Sequence, residues 1–87
     1  MKTFKDLKVG DCVYESNAPE FHDFWINKIE DVYFGTYLIV FTCIDQYGNK
    51  ITVDIPSFYL NEPFCKTNRK IYCTTLESFI DAISENI

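Results

Sequence analysis

The sequence predicts a mainly β fold that ends in one helix, and two observations carry that prediction. Residues 36–45 and 50–56 are dense in β-branched and aromatic residues, which is typical of strands. Between them, Gly48 and Asn49 supply the positive φ angles that a tight turn needs. Near the C-terminus, apolar residues recur at the spacing of one helix face. The chain therefore contains one long β-hairpin and, further on, an amphipathic helix.

Two turn lengths fit the hairpin, a two-residue loop at Gly48-Asn49 and a four-residue loop from Gln46 to Asn49. Both place the same apolar residues on one face: Leu38, Val40, Ile44, Ile51, Val53 and Ile55. A three-residue loop would set the first three of these opposite Thr52 and Asp54, so the hydrophobic pattern argues against it. We therefore expect the set of six to face the core.

The opposite face of the hairpin is apolar along its first half, where it carries Tyr37, Ile39, Phe41 and Cys43. A solvated face would alternate with polar residues, so something should cover this half. The C-terminal segment is a candidate. Thr74 as N-cap and Glu77 have the spacing of a capping box. The apolar stripe that follows comprises Leu76, Phe79, Ile80, Ile83 and Ile87. We expect a helix over about 75–86 that packs on the sheet or closes one end of a barrel.

Three further strands complete the predicted sheet. A turn at Gly10-Asp11 leads into a strand over about 11–16. Residues 20–34 fit either a helical stripe or a strand with a bulge, and the density of aromatic and β-branched residues favours a strand over about 24–34. The last strand, over about 70–73, follows a loop that contains Pro63. Residues 1–87 thus form one domain.

Composition and charge narrow the class of protein. Hydrophobic residues make up 47% of the chain and aromatic residues 17%, which argues against disorder. The net charge of −5 argues against a nucleic-acid partner, because such binding depends on neutralising phosphates with Lys and Arg. No apolar run approaches a membrane span or a signal peptide, so we expect a cytoplasmic protein without a membrane partner. So many aromatics in a short chain also suggest an exposed patch or a homo-oligomer contact.

The sequence offers little for catalysis or metal binding. The four cysteines, at 12, 43, 65 and 73, lack a Cys-x-x-Cys spacing, so we expect buried reduced thiols rather than a zinc site. His22 is the only histidine and lies in a polar stretch, where a solvated side chain is expected rather than a base. No glycine-rich phosphate loop is present. We therefore expect no enzyme, no cofactor and no metal site.

Residues 7–14, Leu-Lys-Val-Gly-Asp-Cys-Val-Tyr, resemble the opening of KOW-type and Src-homology-like small barrels, in which a Val-Gly-Asp turn leads into the first strand. The hairpin around Gly48 and the ending at 71–77 resemble uncharacterised small prokaryotic and phage-borne proteins of that architecture. The resemblance spans most of the chain. It implies a small five-stranded Src-homology-like barrel with one C-terminal helix.

Two groups of residues are candidate binding sites. Small barrels often hold peptides with aromatic residues between loops. The corresponding set here is Trp25, Tyr37, Phe41, Phe58, Tyr59 and Phe64; the alternative is that most of these lie in the core. The second group is a basic cluster, Lys66, Arg69 and Lys70, for which a solvated loop is the alternative to an anion site. We expect a small non-catalytic interaction or accessory domain that binds a protein or peptide. The alternative is a KOW-like nucleic-acid-binding module that uses the basic cluster.

Overall fold

A computed structural model describes residues 1–17 and 23–84, and this part of the chain contains six strands and one α-helix. The strands are β1 (Cys12–Asn17), β2 (Phe24–Phe34), β3 (Leu38–Ile44), β4 (Lys50–Pro56), β5 (Phe64–Lys66) and β6 (Lys70–Cys73). The helix α1 spans Leu76–Ser84, and single turns of 3₁₀ helix span Phe4–Asp6 and Ser57–Tyr59. His22 and Ile87, which the sequence singled out, lie outside the described residues.

The six strands form one antiparallel sheet in the order β4-β3-β2-β1-β6-β5. The prediction of a mainly β fold with a C-terminal helix is confirmed. The five-stranded barrel is wrong in two respects: the sheet has six strands, and within the described residues it stays open, with β4 and β5 as its edges. The extra strand is β5, which pairs with β6 through Cys65 and Tyr72. A strand of three residues is too short to leave a period in the sequence.

The segment that fitted both a helix and a strand forms β2 from Phe24 onward. Its pairing register with β3 shifts between Ile29 and Asp31, which marks a bulge at Glu30. The bulge explains the ambiguous pattern, because an extra residue on one strand moves the following side chains out of the simple alternation of a strand.

On β3, the structure buries the face that carries Ile39 and Phe41, not the face that carries Leu38 and Val40 as expected. Phe41 pairs with Val53 and Ile39 with Ile55, and all four side chains are buried. Val53 and Ile55 therefore face the core as predicted. The prediction for Leu38, Val40 and Ile44 was wrong, because these residues share the outer face with Thr52 and Asp54.

The turn between β3 and β4 explains this difference. The backbone N–H of Asp45 donates to the carbonyl of Asn49 at 2.9 Å, so the loop itself consists of residues 46–48, the three-residue length that the hydrophobic pattern argued against. The Asp45 carboxylate accepts the backbone N–H groups of Tyr47 and Asn49, both at 2.9 Å, and Gly48 adopts a φ of 86°. The side chain of Asp45 thus holds a three-residue turn together, and the odd number of loop residues reverses the faces relative to a two- or four-residue loop.

The cover over Ile39 and Phe41 comes from two segments distant in sequence. Phe4, in the N-terminal 3₁₀ turn, is fully buried, and its ring centroid lies 6.4 Å from that of Phe41. Tyr59 and Leu60, which follow β4, pack against the same cluster. The backbone N–H of Phe4 donates to Glu62 at 3.1 Å and so ties the two segments together.

Helix α1 packs on the other face of the sheet. Phe79 and Ala82 are buried against Ile71 and Cys73 of β6, and the Phe79 ring lies 5.4 Å from that of Phe24. The helix therefore does not cover the Ile39 and Phe41 face. Within the described residues, no helix has the length and apolar character needed to cross a membrane.

The start of α1 also differs from the predicted capping box. The Thr75 hydroxyl accepts the backbone N–H of Ser78 at 3.1 Å, so Thr75 acts as the N-cap. Thr74 is buried, and its hydroxyl donates to the backbone carbonyl of Lys2 at 2.7 Å. Thr74 therefore anchors the N-terminal segment and does not cap the helix. Leu76 and Ile80 remain exposed, so the apolar stripe is buried only in part.

Candidate functional site

The six aromatic residues singled out from the sequence do not form one surface. Phe41 is fully buried in the core, and Trp25 is half-buried near the start of β2. Tyr59 is half-buried with its ring 4.5 Å from that of Phe58. The exposed members are Tyr37, Phe58 and, to a smaller extent, Phe64. The set therefore divides between core and surface, and only part of it is available to a partner.

A group of exposed apolar side chains lies where β2 ends and β3 begins. We call it the aromatic end, and it consists of Tyr33, Phe34, Tyr37 and Leu38. Their exposed fractions are 68%, 46%, 83% and 45%, respectively. Tyr33, Tyr37 and Leu38 line one pocket, whereas Phe34 pairs with Ile39 and lies on the opposite face of the sheet. Of these four, sequence reasoning identified only Tyr37 as a binding residue. Tyr33 and Phe34 gave no separate signal because they continue the aromatic, β-branched pattern of β2.

The backbone of the aromatic end is held in one conformation by close packing. The N–H of Gly35 donates to the carbonyl of Leu38 at 2.9 Å. A Cβ atom at Gly35 would lie 2.8 Å from that carbonyl oxygen and 2.9 Å from the ring of Tyr33. Only glycine fits this position, because real Cβ contacts are essentially never that short. The Tyr33 ring thus lies close over the turn.

A second segment supports this turn from the side of β4. The backbone N–H of Ser57 donates to the carbonyl of Tyr37 at 3.0 Å, and the Ser57 hydroxyl donates to the carbonyl of Thr36 at 2.7 Å. The exposed Phe58 follows Ser57 directly and therefore lies at the same end of the sheet. A shallow pocket of about 370 Å³ opens here, between the Tyr33 and Tyr37 side chains and the outer-face residues Leu38 and Val40.

A polar cluster lies near the opposite end of β2, on the buried face of the sheet. The buried Glu15 carboxylate accepts a hydrogen bond from the Asn27 amide at 2.7 Å and pairs with the Lys70 ammonium at 2.8 Å. That ammonium also lies 4.8 Å from the centre of the Trp25 ring. Burial, with the Glu15 charge nearby, raises the pKa of Tyr72. Lys70 is thus occupied within the fold, whereas Lys66 and Arg69 of the predicted basic cluster are exposed.

Three of the four cysteine thiols lie in the core, where they act as apolar packing side chains. Cys43, Cys65 and Cys73 are buried with free thiols, and Cys12 is half-buried. Burial raises the pKa of Cys43 and Cys73 to about 12 and that of Cys65 to about 11. These three thiols are therefore protonated near neutral pH, and a protonated thiol is a poor nucleophile and metal ligand. Among the described residues, no three His, Cys, Asp or Glu side chains are grouped as metal ligands.

We compared the chain with known proteins and with solved structures. The chain matches no protein-family model, no curated protein and no solved structure.

Proposed function

We propose that this protein is a small non-catalytic interaction domain that binds another protein or a peptide through the aromatic end. The observation that carries the proposal is the exposure of three large apolar side chains that line one pocket, Tyr33, Tyr37 and Leu38. Contiguous apolar surface exposed on a small domain marks interaction sites, because burying it against a partner removes it from water. Tyr and Phe are also enriched in the buried centres of protein interfaces.

The rigidity of the aromatic end supports the same function. The turn is fixed by the packing of Tyr33 over Gly35 and by the two hydrogen bonds from Ser57. A turn whose backbone is already ordered loses little backbone entropy on binding, so more of the contact energy appears as affinity. The pocket beside Tyr37 provides a concave place for an apolar side chain of the partner, with the tyrosine hydroxyls at hand for polar contacts.

The order of the strands supports a relation to the Src-homology-like small barrels. Strands β1 to β4 follow one another as a meander, and β6 returns to pair with β1 on the side away from β2. We propose that the fold is an opened relative of those barrels, with β5 added at one edge. A nucleic-acid function through the basic cluster has less support, because Lys70 already pairs with Glu15 and the chain carries a net charge of −5.

Selection of peptides from a random display library tests the proposal. We expect the wild-type protein to enrich peptides with aromatic or aliphatic anchors. Replacement of one anchor, Tyr37→Ala, should weaken their binding about tenfold or more, as is typical when a central interface tyrosine is truncated. Tyr47→Ala is the matched control, because Tyr47 is an exposed tyrosine in the β3–β4 turn, away from the aromatic end. Failure to enrich any peptide, or equal losses for the two variants, would contradict the proposal.

A further inference from the structure

Strand β4 presents an unpaired edge along its whole length. It pairs with β3 in an unbroken register, and within the described residues no strand pairs with its other side. Hydrogen bonds alternate along an antiparallel ladder. The bonds at the two ends of this hairpin, from Asp45 to Asn49 and from Ser57 to Tyr37, both join residues of odd number. The backbone groups that point away from β3 are therefore those of Lys50, Thr52 and Asp54.

The side chains of these residues are also exposed, and they carry opposite charges. All three lie on the outer face of the sheet. The Lys50 side chain is 72% exposed, and its ammonium is 3.8 Å from Glu30, a long and solvated contact that contributes little. On the buried face of the same strand, Val53 is in the core and Ile51 is half-buried. A strand added to this edge would therefore meet a positive, a neutral and a negative side chain in turn on the outer face, and apolar side chains on the inner face.

We propose that β4 pairs antiparallel with β4 of a second copy of this chain, about a twofold axis at Thr52. In this register Thr52 lies opposite the partner's Thr52, and Lys50 lies opposite the partner's Asp54. Each of these residues directs its N–H and C=O at the partner, as in the hydrogen-bonded pairs of an antiparallel ladder. Twofold symmetry repeats the Lys–Asp pair on the other side of the axis. On the inner face Ile51 lies opposite the partner's Val53.

The charges favour this register. With the axis at residue 51 or 53, Lys50 no longer lies opposite Asp54, and both Lys–Asp pairs are lost. With the axis moved to residue 50, two lysines would face each other, and with the axis at residue 54, two aspartates would. Like charges directly opposite destabilise a strand pair. A lysine on an edge strand discourages pairing with an arbitrary strand, because its charge would be brought against the added strand. Here the carboxylate of the partner's Asp54 lies opposite Lys50 and neutralises that charge. Pro56 has no N–H, so pairing ends before it.

The resulting dimer joins two six-stranded sheets into one continuous sheet. Only residues 50–54 of each copy pair, so the interface is smaller than that of a typical stable dimer, and we expect a dissociation constant on the order of 10–100 μM. The contact lies along the edge of β4 and does not depend on the function proposed for the aromatic end. Asp54 is the dimer residue nearest to that surface, since it pairs with Val40 of the pocket.

Charge reversal tests the register directly. In Lys50→Glu both cross-strand pairs become acidic, and in Asp54→Lys both become basic. We expect each variant alone to raise the dissociation constant about 30-fold, measured by sedimentation equilibrium from micromolar to millimolar protein. An equimolar mixture of the two variants restores opposite charges in a mixed dimer, so its affinity should return to within about threefold of wild type. Arg69→Glu and Asp81→Lys are the matched controls, because both residues are exposed and lie off β4.

A backbone variant tests the pairing without a change in charge. The N–H of Thr52 points away from β3, so Thr52→Pro keeps the ladder of the monomer and removes the central donors of the dimer. We expect it to abolish dimerisation while the far-ultraviolet circular dichroism stays that of the folded chain. A wild-type protein that is monomeric at millimolar concentration would overturn the proposal. So would a dimer that persists in Lys50→Glu, or variants that fail to associate when mixed.

Discussion

Two adjacent residues of β3 should differ widely in their importance for stability. Ile39 is 1% exposed, lies opposite Ile55 and packs in the cluster beneath Phe4. Leu38, its neighbour in the chain, is 45% exposed on the outer face. Truncation of each to alanine removes a comparable aliphatic side chain from opposite faces of the same strand. The pair of variants therefore measures which face of β3 is the core.

The expected costs follow from burial. Replacing a fully buried isoleucine by alanine loses the transfer free energy of the removed groups and leaves a cavity, for a total of about 3 kcal/mol. Leu38 keeps nearly half of its surface in water, so Leu38→Ala should cost about 1 kcal/mol or less. For a domain of 87 residues, the larger loss lowers the melting temperature by about 15–20 °C.

Equilibrium unfolding in urea, followed by circular dichroism and by the fluorescence of Trp25, measures both free energies. Equal slopes with urea concentration would show that the variants unfold over the same change in surface. Ile39→Val, which should cost about 1 kcal/mol, replaces Ile39→Ala if the latter does not fold. A loss for Leu38→Ala equal to or larger than that for Ile39→Ala would refute the assigned core face.

Three further predictions concern buried polar and ionisable groups. Lys70→Met removes the cation that pairs with buried Glu15, so it should lower the free energy of unfolding in urea by about 2 kcal/mol. Arg69→Met changes an exposed neighbour and should lower it by less than about 0.5 kcal/mol. Similar losses for the two variants would refute the role of the ion pair. The three buried cysteines should resist a thiol reagent at pH 8 in the native protein and react in urea, while half-buried Cys12 reacts first. Because burial raises their pKa to about 11–12, they stay protonated in the folded state while unfolded thiols ionise near pH 9. Stability should therefore fall between pH 9 and 12, and an unfolding midpoint that stays constant across this range would contradict the burial.

The local sequence pattern was sufficient for the class of fold. The β-branched and aromatic runs of the hairpin, the glycine in its turn and the amphipathic C-terminal stripe are all short-range signals, and each depends on a period that one strand or helix sets by itself. The same signals did not locate the aromatic end. Tyr33 and Phe34 continue the pattern of β2. Whether their side chains are exposed depends on which distant segments pack over them, and the pattern of one strand does not show that.

The tertiary structure alone decided which side of the hairpin is buried. Both faces of β3 are apolar, with Leu38 and Val40 on one and Ile39 and Phe41 on the other, so alternation within the strand is consistent with either choice. Phe4, from the N-terminus, and the segment after β4 settle the matter by covering the second face. Burial is a property of contacts between segments far apart in sequence, and a one-residue change in turn length exchanges the two faces. The chain by itself thus determined that a hairpin forms, and long-range packing determined which of its side chains are left for a partner.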